Sequence, residues 1–231
     1  VSLQDEAWQP LLVSRWKAML APLSLVALII FFVRTMPSGI AEAYHPGLAT
    51  NIGGWTQTSY TNTISAAQFA VGLFALTLGG WAVAKIGAQR AALIMCLLVS
   101  FFALGFGLAR GYWPNATLLI AYFWQIEFLT VMLTVAFVPV AMRLCDPRVA
   151  ATQFTLYMAA SNVGRPLGNS VAAATDEMGA PHLMYFVLAG VFAALSFILW
   201  FARFPKKAPE VVKIIEESEP IVEGEPPPKI D

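Results

Sequence analysis

The sequence predicts an all-α membrane protein with six transmembrane helices. Hydrophobic residues make up 58% of the 231 residues and charged residues only 12%, whereas a soluble domain contains about 25% charged residues. Six apolar segments each approach the roughly 20 residues that cross a bilayer as a helix. They predict a transmembrane domain over residues 19–204, with spans at 19–42, 62–84, 91–109, 117–142, 150–173 and 182–204.

The basic residues of the connecting segments orient this domain. Arg34 and Arg165 lie inside predicted spans, and every other Lys and Arg except Arg110 falls on the side of the two termini. Cytoplasmic loops of membrane proteins carry the excess of Lys and Arg. We therefore expect both termini in the cytoplasm of a multi-pass membrane protein.

Two flanking segments complete the predicted organisation. Residues 1–18 carry Trp8 and Trp16 among apolar residues at roughly helical spacing, which fits either a helix lying on the membrane surface or a plain linker. Residues 205–231 form a tail rich in proline and acidic residues, a composition typical of disorder. An ordered tail of this kind would need a surface to lie on, such as a partner protein.

The composition argues against several classes of function. The formal net charge of +0 does not favour a nucleic-acid partner. The two cysteines, Cys96 and Cys145, suggest neither a disulfide framework nor a zinc site, and His45 and His182 are too far apart in the chain to suggest a metal site. Because no motif for catalysis is recognisable, we expect no enzyme activity, no cofactor and no metal.

Ionisable residues inside the predicted spans are the strongest functional signal. Arg34 lies in the first span, Glu127 in the fourth and Arg165 in the fifth. Such groups are costly at bilayer depth and usually face a cavity or a partner. Polar residues at intervals of three or four share a helix face. Thr130 and Thr134 lie on the face of Glu127, Asn162 and Asn169 lie on the face of Arg165, and Thr61, Ser65 and Gln68 form a similar stripe on the second span.

Three polar stripes that face each other would line an aqueous path through the membrane. In that case Glu127 could exchange a coupling proton, because burial and a nearby arginine shift the protonation of a carboxylate in opposite directions. The alternative is a permanent ion pair between Glu127 and Arg34 or Arg165 that only orients the helices.

Proline and glycine follow the two charged arginines closely. Pro37 and Gly39 come after the first, and Pro166 and Gly168 after the second. Interrupted helices near the midplane are typical of transporter sites, although proline is also common in ordinary membrane helices. The pattern predicts interruptions in the first and fifth spans.

The junction of the fourth and fifth spans predicts a helical hairpin. One apolar helix is expected to end at Leu144 and the next to start near Ala150, with Asp146-Pro147-Arg148 between them. Proline fixes φ and cannot donate a hydrogen bond to a continuing helix, so Asp-Pro marks a turn.

This junction also carries a family resemblance. Met142-Arg-Leu-Cys-Asp, Ala151-Thr-Gln-Phe and Gly164-Arg165 resemble the loop and penultimate helix of AmpG-type permeases. These belong to the major facilitator superfamily, with muropeptide importers, acetyl-CoA transporters and some siderophore permeases among them. The resemblance extends over about residues 20–204, is specific at this junction and is general elsewhere.

A second stretch resembles the gating motif of the same superfamily on its cytoplasmic side. Gly80, Lys85, Gly87 and Arg90 match the motif, but Ala84 stands where the family has an aspartate. The alternative is an ordinary basic loop between two spans.

The resemblance implies a bundle equivalent to the C-terminal half of a major facilitator, whose two six-helix halves hold the substrate between them. It implies secondary transport, with Glu127 as the counterpart of a family glutamate, and a bulky polar cargo such as a muropeptide or a siderophore. The expected place is the bacterial inner membrane. The chain would be a fragment, a half-size protein that pairs with another half, or a half-transporter relic with a structural role.

The competing interpretation is an accessory subunit of a larger membrane complex that derives from such a half. The absent gating aspartate and the missing second half favour it, whereas the polar stripes favour transport. In both cases we expect lipid contacts and a stable partner, either a second half or the larger complex.

The orientation predicts which side of the membrane exposes Thr56. In a background lacking Cys96 and Cys145, a cysteine at Thr56 is expected to react with an impermeant maleimide added outside intact cells. A cysteine at Arg90 is the control and should react only after permeabilisation. The opposite labelling pattern would reverse the orientation.

Overall fold

The computed structural model describes residues 22–145 and 150–201, which form helices and contain no strand. The α-helices are α1 (Pro22–Arg34), α2 (Met36–Gly47), α3 (Gln57–Phe74), α4 (Gly80–Ile86), α5 (Ala88–Leu108), α6 (Ala116–Leu144), α7 (Ala150–Glu177) and α8 (Leu183–Phe201). Two π-helical turns, Leu48–Ile52 and Ala75–Gly79, extend α2 and join α3 to α4, and the 3₁₀ turn Ala109–Tyr112 follows α5.

Each of the six predicted spans corresponds to one helical segment, but only five segments are both long and apolar enough to cross a membrane. These cover residues 24–52, 57–86, 88–112, 116–144 and 183–201. The helix that does not qualify is α7, which has 28 residues and fails on composition rather than length. Because polar groups in contact with lipid are costly, α7 needs protein or water along part of its surface.

The first segment is longer than the sequence predicted. Residues 43–52 were expected to begin an extracellular loop, yet α2 and its π-helical turn continue to Ile52. His45 is consequently not a loop residue: it is 1% exposed, with its ring 5.5 Å from that of Tyr122 and 5.1 Å from that of Phe123. The connection is reduced to residues 53–56, where Thr56 caps α3 by accepting a hydrogen bond from the Ser59 amide.

The predicted interruptions differ between the two segments. The first segment is interrupted at Thr35, between α1 and α2. Pro37 lies in the first turn of α2, where backbone N–H groups have no partner within the helix, so a proline there removes no helical hydrogen bond. The fifth segment is not interrupted, since α7 runs continuously through Pro166. The prediction of a broken fifth span was therefore wrong.

The helix ends predicted for the junction of the fourth and fifth segments are confirmed. α6 ends at Leu144 and α7 begins at Ala150. The turn residues 146–149 lie outside the described part of the chain, as do the predicted surface segment 1–18 and the predicted tail 205–231.

α6 lies at the centre of the bundle and contacts α1, α2, α3, α4, α5 and α7. α5 and α8 form a closely packed pair beside it. Two side-chain donors bond across this pair to backbone carbonyls: the Ser100 hydroxyl to Ala189 at 2.8 Å and the Gln89 amide to Leu199 at 2.9 Å. Both bonds satisfy polar groups that lipid cannot satisfy.

An aromatic cluster joins α5, α6 and α8 at one end of the bundle. The rings of Phe106 and Tyr122 stack with centroids 3.6 Å apart, and Tyr185 meets both rings edge to face. Trp113 stacks on Phe106 and donates its indole N–H to the Phe106 carbonyl at 3.0 Å. Such pairs stabilise by about 0.5–1.5 kcal/mol each beyond their buried area.

α1 and α2 cross α7 with their backbones in close contact. A Cβ atom at Gly39 would overlap the Arg165 carbonyl oxygen, one at Gly164 the Phe32 carbonyl oxygen and one at Gly168 the Met36 carbonyl oxygen. Small residues at a helix interface permit this backbone approach. The Thr35 hydroxyl adds a hydrogen bond to the Ser161 carbonyl.

The crossing predicts a position-specific effect of adding one methyl group. Gly164→Ala is expected to force α1 and α7 apart and to lower the stability of the folded chain by about 1–3 kcal/mol, the usual cost of overpacking. The measurement is thermal or denaturant unfolding of the protein in detergent or nanodiscs.

Gly190→Ala in α8 is the matched control, because its Cβ would meet no atom within 4 Å. Alanine favours a helix over glycine by about 1 kcal/mol, so this variant should be unchanged or slightly more stable. Equal effects at the two positions would contradict the crossing described here.

Candidate functional site

A polar cavity of about 410 Å³ lies between α2, α3, α6 and α7. α5 and α8 contribute nothing to its lining. The cavity therefore lies on the opposite side of α6 from the α5–α8 pair. Its lining residues are Ser38, Ala41, Glu42, Tyr60, Ile64, Gln68, Ile126, Glu127, Thr130, Val131, Thr134 and Arg165.

Glu127 lies half-buried on the α6 wall of this cavity. The side chain of Gln68, on α3, lies beside its carboxylate. One turn further along α6, the Thr130 hydroxyl donates to the backbone carbonyls of Ile126 and Glu127, at 3.0 Å each. The predicted face of Glu127, Thr130 and Thr134 therefore does line a cavity.

Arg165 reaches the same cavity from α7 but pairs with a residue that the sequence analysis did not select. Its guanidinium lies 3.1 Å from the Glu42 carboxylate, and the two side chains are 54% and 53% exposed. Glu42 was overlooked because it stood at the predicted end of the first span. Its spacing was a usable signal, since Arg34, Ser38 and Glu42 follow one another at intervals of four residues.

Arg34 is buried behind the cavity and does not line it. It is 8% exposed and donates two hydrogen bonds of 2.6 Å, one to the Thr134 hydroxyl on α6 and one to the Ser161 hydroxyl on α7. Its guanidinium also lies 5.3 Å from the centre of the Phe31 ring. Arg34 thus links three helices through neutral groups.

These contacts leave Glu127 without the arginine that the sequence suggested for it. Within residues 22–145 and 150–201, the recorded ion pair is that of Arg165 with Glu42. Charges of like sign lie near one another: Glu42 acts electrostatically on Glu127, and Arg165 on Arg34. The predicted permanent ion pair of Glu127 is not formed in this structure.

Other members of the predicted stripes lie outside the cavity. Asn162 and Asn169 are exposed on α7 and do not line it. On α3, Gln68 reaches the cavity, but its neighbours there are Tyr60 and Ile64 rather than the predicted Thr61 and Ser65. Of the predicted stripe on the fifth segment, only Arg165 therefore lines the cavity.

The stretch that resembles a gating motif forms a tight turn between α4 and α5. Gly87 is the turn residue and adopts a φ of +93°, which favours glycine. The Lys85 ammonium lies 5.1 Å from the centre of the Trp81 ring, and Arg90 is exposed in the first turn of α5. Gly80 makes no close approach, since a Cβ there would meet nothing within 4 Å.

The arrangement provides a solvent-accessible space with two carboxylates, a guanidinium, an amide and hydroxyl groups inside a bundle of apolar helices. In the described part of the chain, no cluster of three or more His, Cys, Asp or Glu residues is placed to hold a metal ion. Comparisons of the chain with protein-family models, curated proteins and solved structures find no match.

Proposed function

We propose that this chain is one half of a secondary transporter and that the cavity is its share of the solute path. The observation that carries the proposal is the half-buried carboxylate of Glu127 in a polar cavity of about 410 Å³. Three of the four helices that line this cavity, α2, α3 and α6, belong to segments able to span a membrane. Ionisable groups at this depth mark substrate or proton paths. Transporter sites lie at the interface between structural repeats.

The state of Glu127 supports transport over a purely structural role. A structural carboxylate in a membrane bundle is expected to be paired, because an isolated buried charge is strongly destabilising. Glu127 instead lies beside the neutral side chain of Gln68 and lines the cavity. A group in this position can gain and lose a proton without dismantling a helix contact.

Proton coupling through Glu127 completes the proposed mechanism. Arg34 bonds to Thr134, seven residues or about 10 Å further along α6, and Arg165 is paired with Glu42. Protonation of Glu127 would remove a negative charge from the cavity wall and change its affinity for solute. By the family resemblance, the cargo is a bulky polar solute such as a muropeptide, with a siderophore as the alternative, and the membrane is the bacterial inner membrane.

The outward face of α7 supports the presence of a protein partner. This face is exposed and carries the polar residues Thr152, Thr155, Asn162, Asn169 and Ser170, and α7 is the long helix that is too polar to count as a membrane span. A second six-helix half would cover both the cavity and this face.

A second candidate function is that of an accessory subunit in a larger membrane complex. The observation that favours it is that Asn162 and Asn169 are exposed on α7 yet do not line the cavity. Exposed amides of this kind suit a protein contact. The replacement of the gating aspartate by Ala84 points the same way.

Glu127→Gln separates transport from a structural role, because it preserves shape and hydrogen bonding while removing the charge. If Glu127 carries the coupling proton, cells with the variant should lose proton-driven accumulation of a labelled muropeptide yet retain its exchange across the membrane. Glu177→Gln, at the exposed end of α7, is the control and should transport normally. Normal pH-dependent uptake by Glu127→Gln would remove this residue from the mechanism.

The polar face of α7 predicts stable association. The full chain, extracted in mild detergent and measured by light scattering, is expected to be part of a larger species. Replacing Asn162 and Asn169 together by leucine should weaken that association, whereas the same change at Gly72 and Gly105, whose added side chains would start in open space, should not. A folded monomer in mild detergent would count against both the second half and the complex.

A further inference from the structure

We infer that the cavity binds solutes carrying a protonated amine, with the ammonium group between the carboxylates of Glu127 and Glu42. The inference rests on the proposed function for its setting, since it names a substrate class for the same cavity. It is carried by the distribution of charge around the cavity and by the cavity's size.

The lining of the cavity carries a net negative charge. Glu42, Glu127 and Arg165 are the charged side chains that line the cavity, so two negative charges face one positive charge. Arg165 is matched with Glu42 at 3.1 Å. Glu127 has no counter-ion among the residues that the structure describes, and the carboxylate that acts on it electrostatically is Glu42.

Arg34 does not supply that counter-ion. Arg34 is directed to the hydroxyl groups of Thr134 and Ser161 and is 8% exposed, behind the cavity wall. Its electrostatic neighbour is Arg165. The positive charges are thus gathered toward α7, and the negative charge of Glu127 is left on the opposite wall beside α3.

The acceptor groups and the size of the cavity indicate which kind of cation it would hold. An ammonium group has three N–H donors and no acceptor, and charge-assisted hydrogen bonds to carboxylates are its strongest contacts. Glu127 and Glu42 offer such acceptors, with the Thr130 hydroxyl oxygen nearby on the same wall. A space of about 410 Å³ is in the range of small-molecule sites and far exceeds a single bound ion.

Arg165 would bind the opposite end of the solute. Arg165 lies in the same cavity and is half exposed, and a guanidinium binds carboxylates in a planar two-point arrangement. A solute with an amine and a carboxylate can therefore contact both walls at once. This makes lysine derivatives suitable probes.

The test compares two probes that differ only in the amine: Nα-acetyl-lysine, whose side chain is charged, and Nα,Nε-diacetyl-lysine, whose side chain is neutral. Calorimetric titration uses the full chain in nanodiscs at neutral pH. We expect the charged probe to bind at least about tenfold more tightly, the usual strength of a charge-assisted hydrogen bond.

Two variants assign this preference to Glu127. In Glu127→Gln the two probes should bind with affinities within about twofold of each other, because the carboxylate that distinguishes them is gone. Glu127→Asp keeps the charge and should keep most of the preference, and Glu177→Gln should behave as the native chain. Unfolding curves that match the native protein exclude loss of the fold as the cause.

Equal binding of the two probes to the native chain, absence of binding by both, or an unchanged preference in Glu127→Gln would each overturn the inference. The outcome is independent of the transport assay. An amine preference without solute accumulation would refute transport alone, and accumulation without an amine preference would refute the amine site alone.

Discussion

The close crossing of α1 and α2 with α7 is the contact on which the rest of the arrangement depends. Gly39, Gly164 and Gly168 allow the two backbones to approach until carbonyl oxygens occupy the places of side chains. This approach brings Ser161 within reach of Arg34 and brings Arg165 within reach of Glu42. A wider crossing would leave both arginines without these partners, so the charge pattern of the cavity follows from a steric property of three glycines.

Buried hydroxyl groups then determine where the positive charge lies. Arg34 is held by Thr134 and Ser161 rather than by a carboxylate, an uncommon solution for a cation inside a bundle because hydroxyl groups compensate only part of its desolvation. The consequence is that Glu127 remains available to the cavity. A bundle that paired Arg34 with Glu127 would gain an internal ion pair, but its cavity would lose an unpaired carboxylate.

The surface of the bundle divides into regions that need different surroundings. Residues 57–86 expose large apolar side chains, including Phe69, Leu76 and Trp81, which suit lipid. α7 exposes amides and hydroxyls instead, and lipid offers these groups no hydrogen bonds. This difference agrees with the proposed partner on the α7 side and with lipid around residues 57–86.

The sequence by itself determined the all-α class with apolar helices, the positions of six helical segments and the helix ends at Leu144 and Ala150. These properties follow from composition, from runs of apolar residues and from proline, all of which act locally along the chain. Local patterns also identified the helix face of Glu127, Thr130 and Thr134, because neighbours on one helix are fixed by its period.

Only the tertiary structure decided which charges meet. The sequence offered Arg34 and Arg165 as partners for Glu127, but the partners found are Thr134 and Ser161 for the first and Glu42 for the second. It also suggested that Asn162 and Asn169 line the path, whereas Arg165 alone of this stripe lines the cavity. Helix periodicity fixes relative positions on one helix and leaves the rotation and crossing of neighbouring helices free, and here the glycine contacts between α1, α2 and α7 set both.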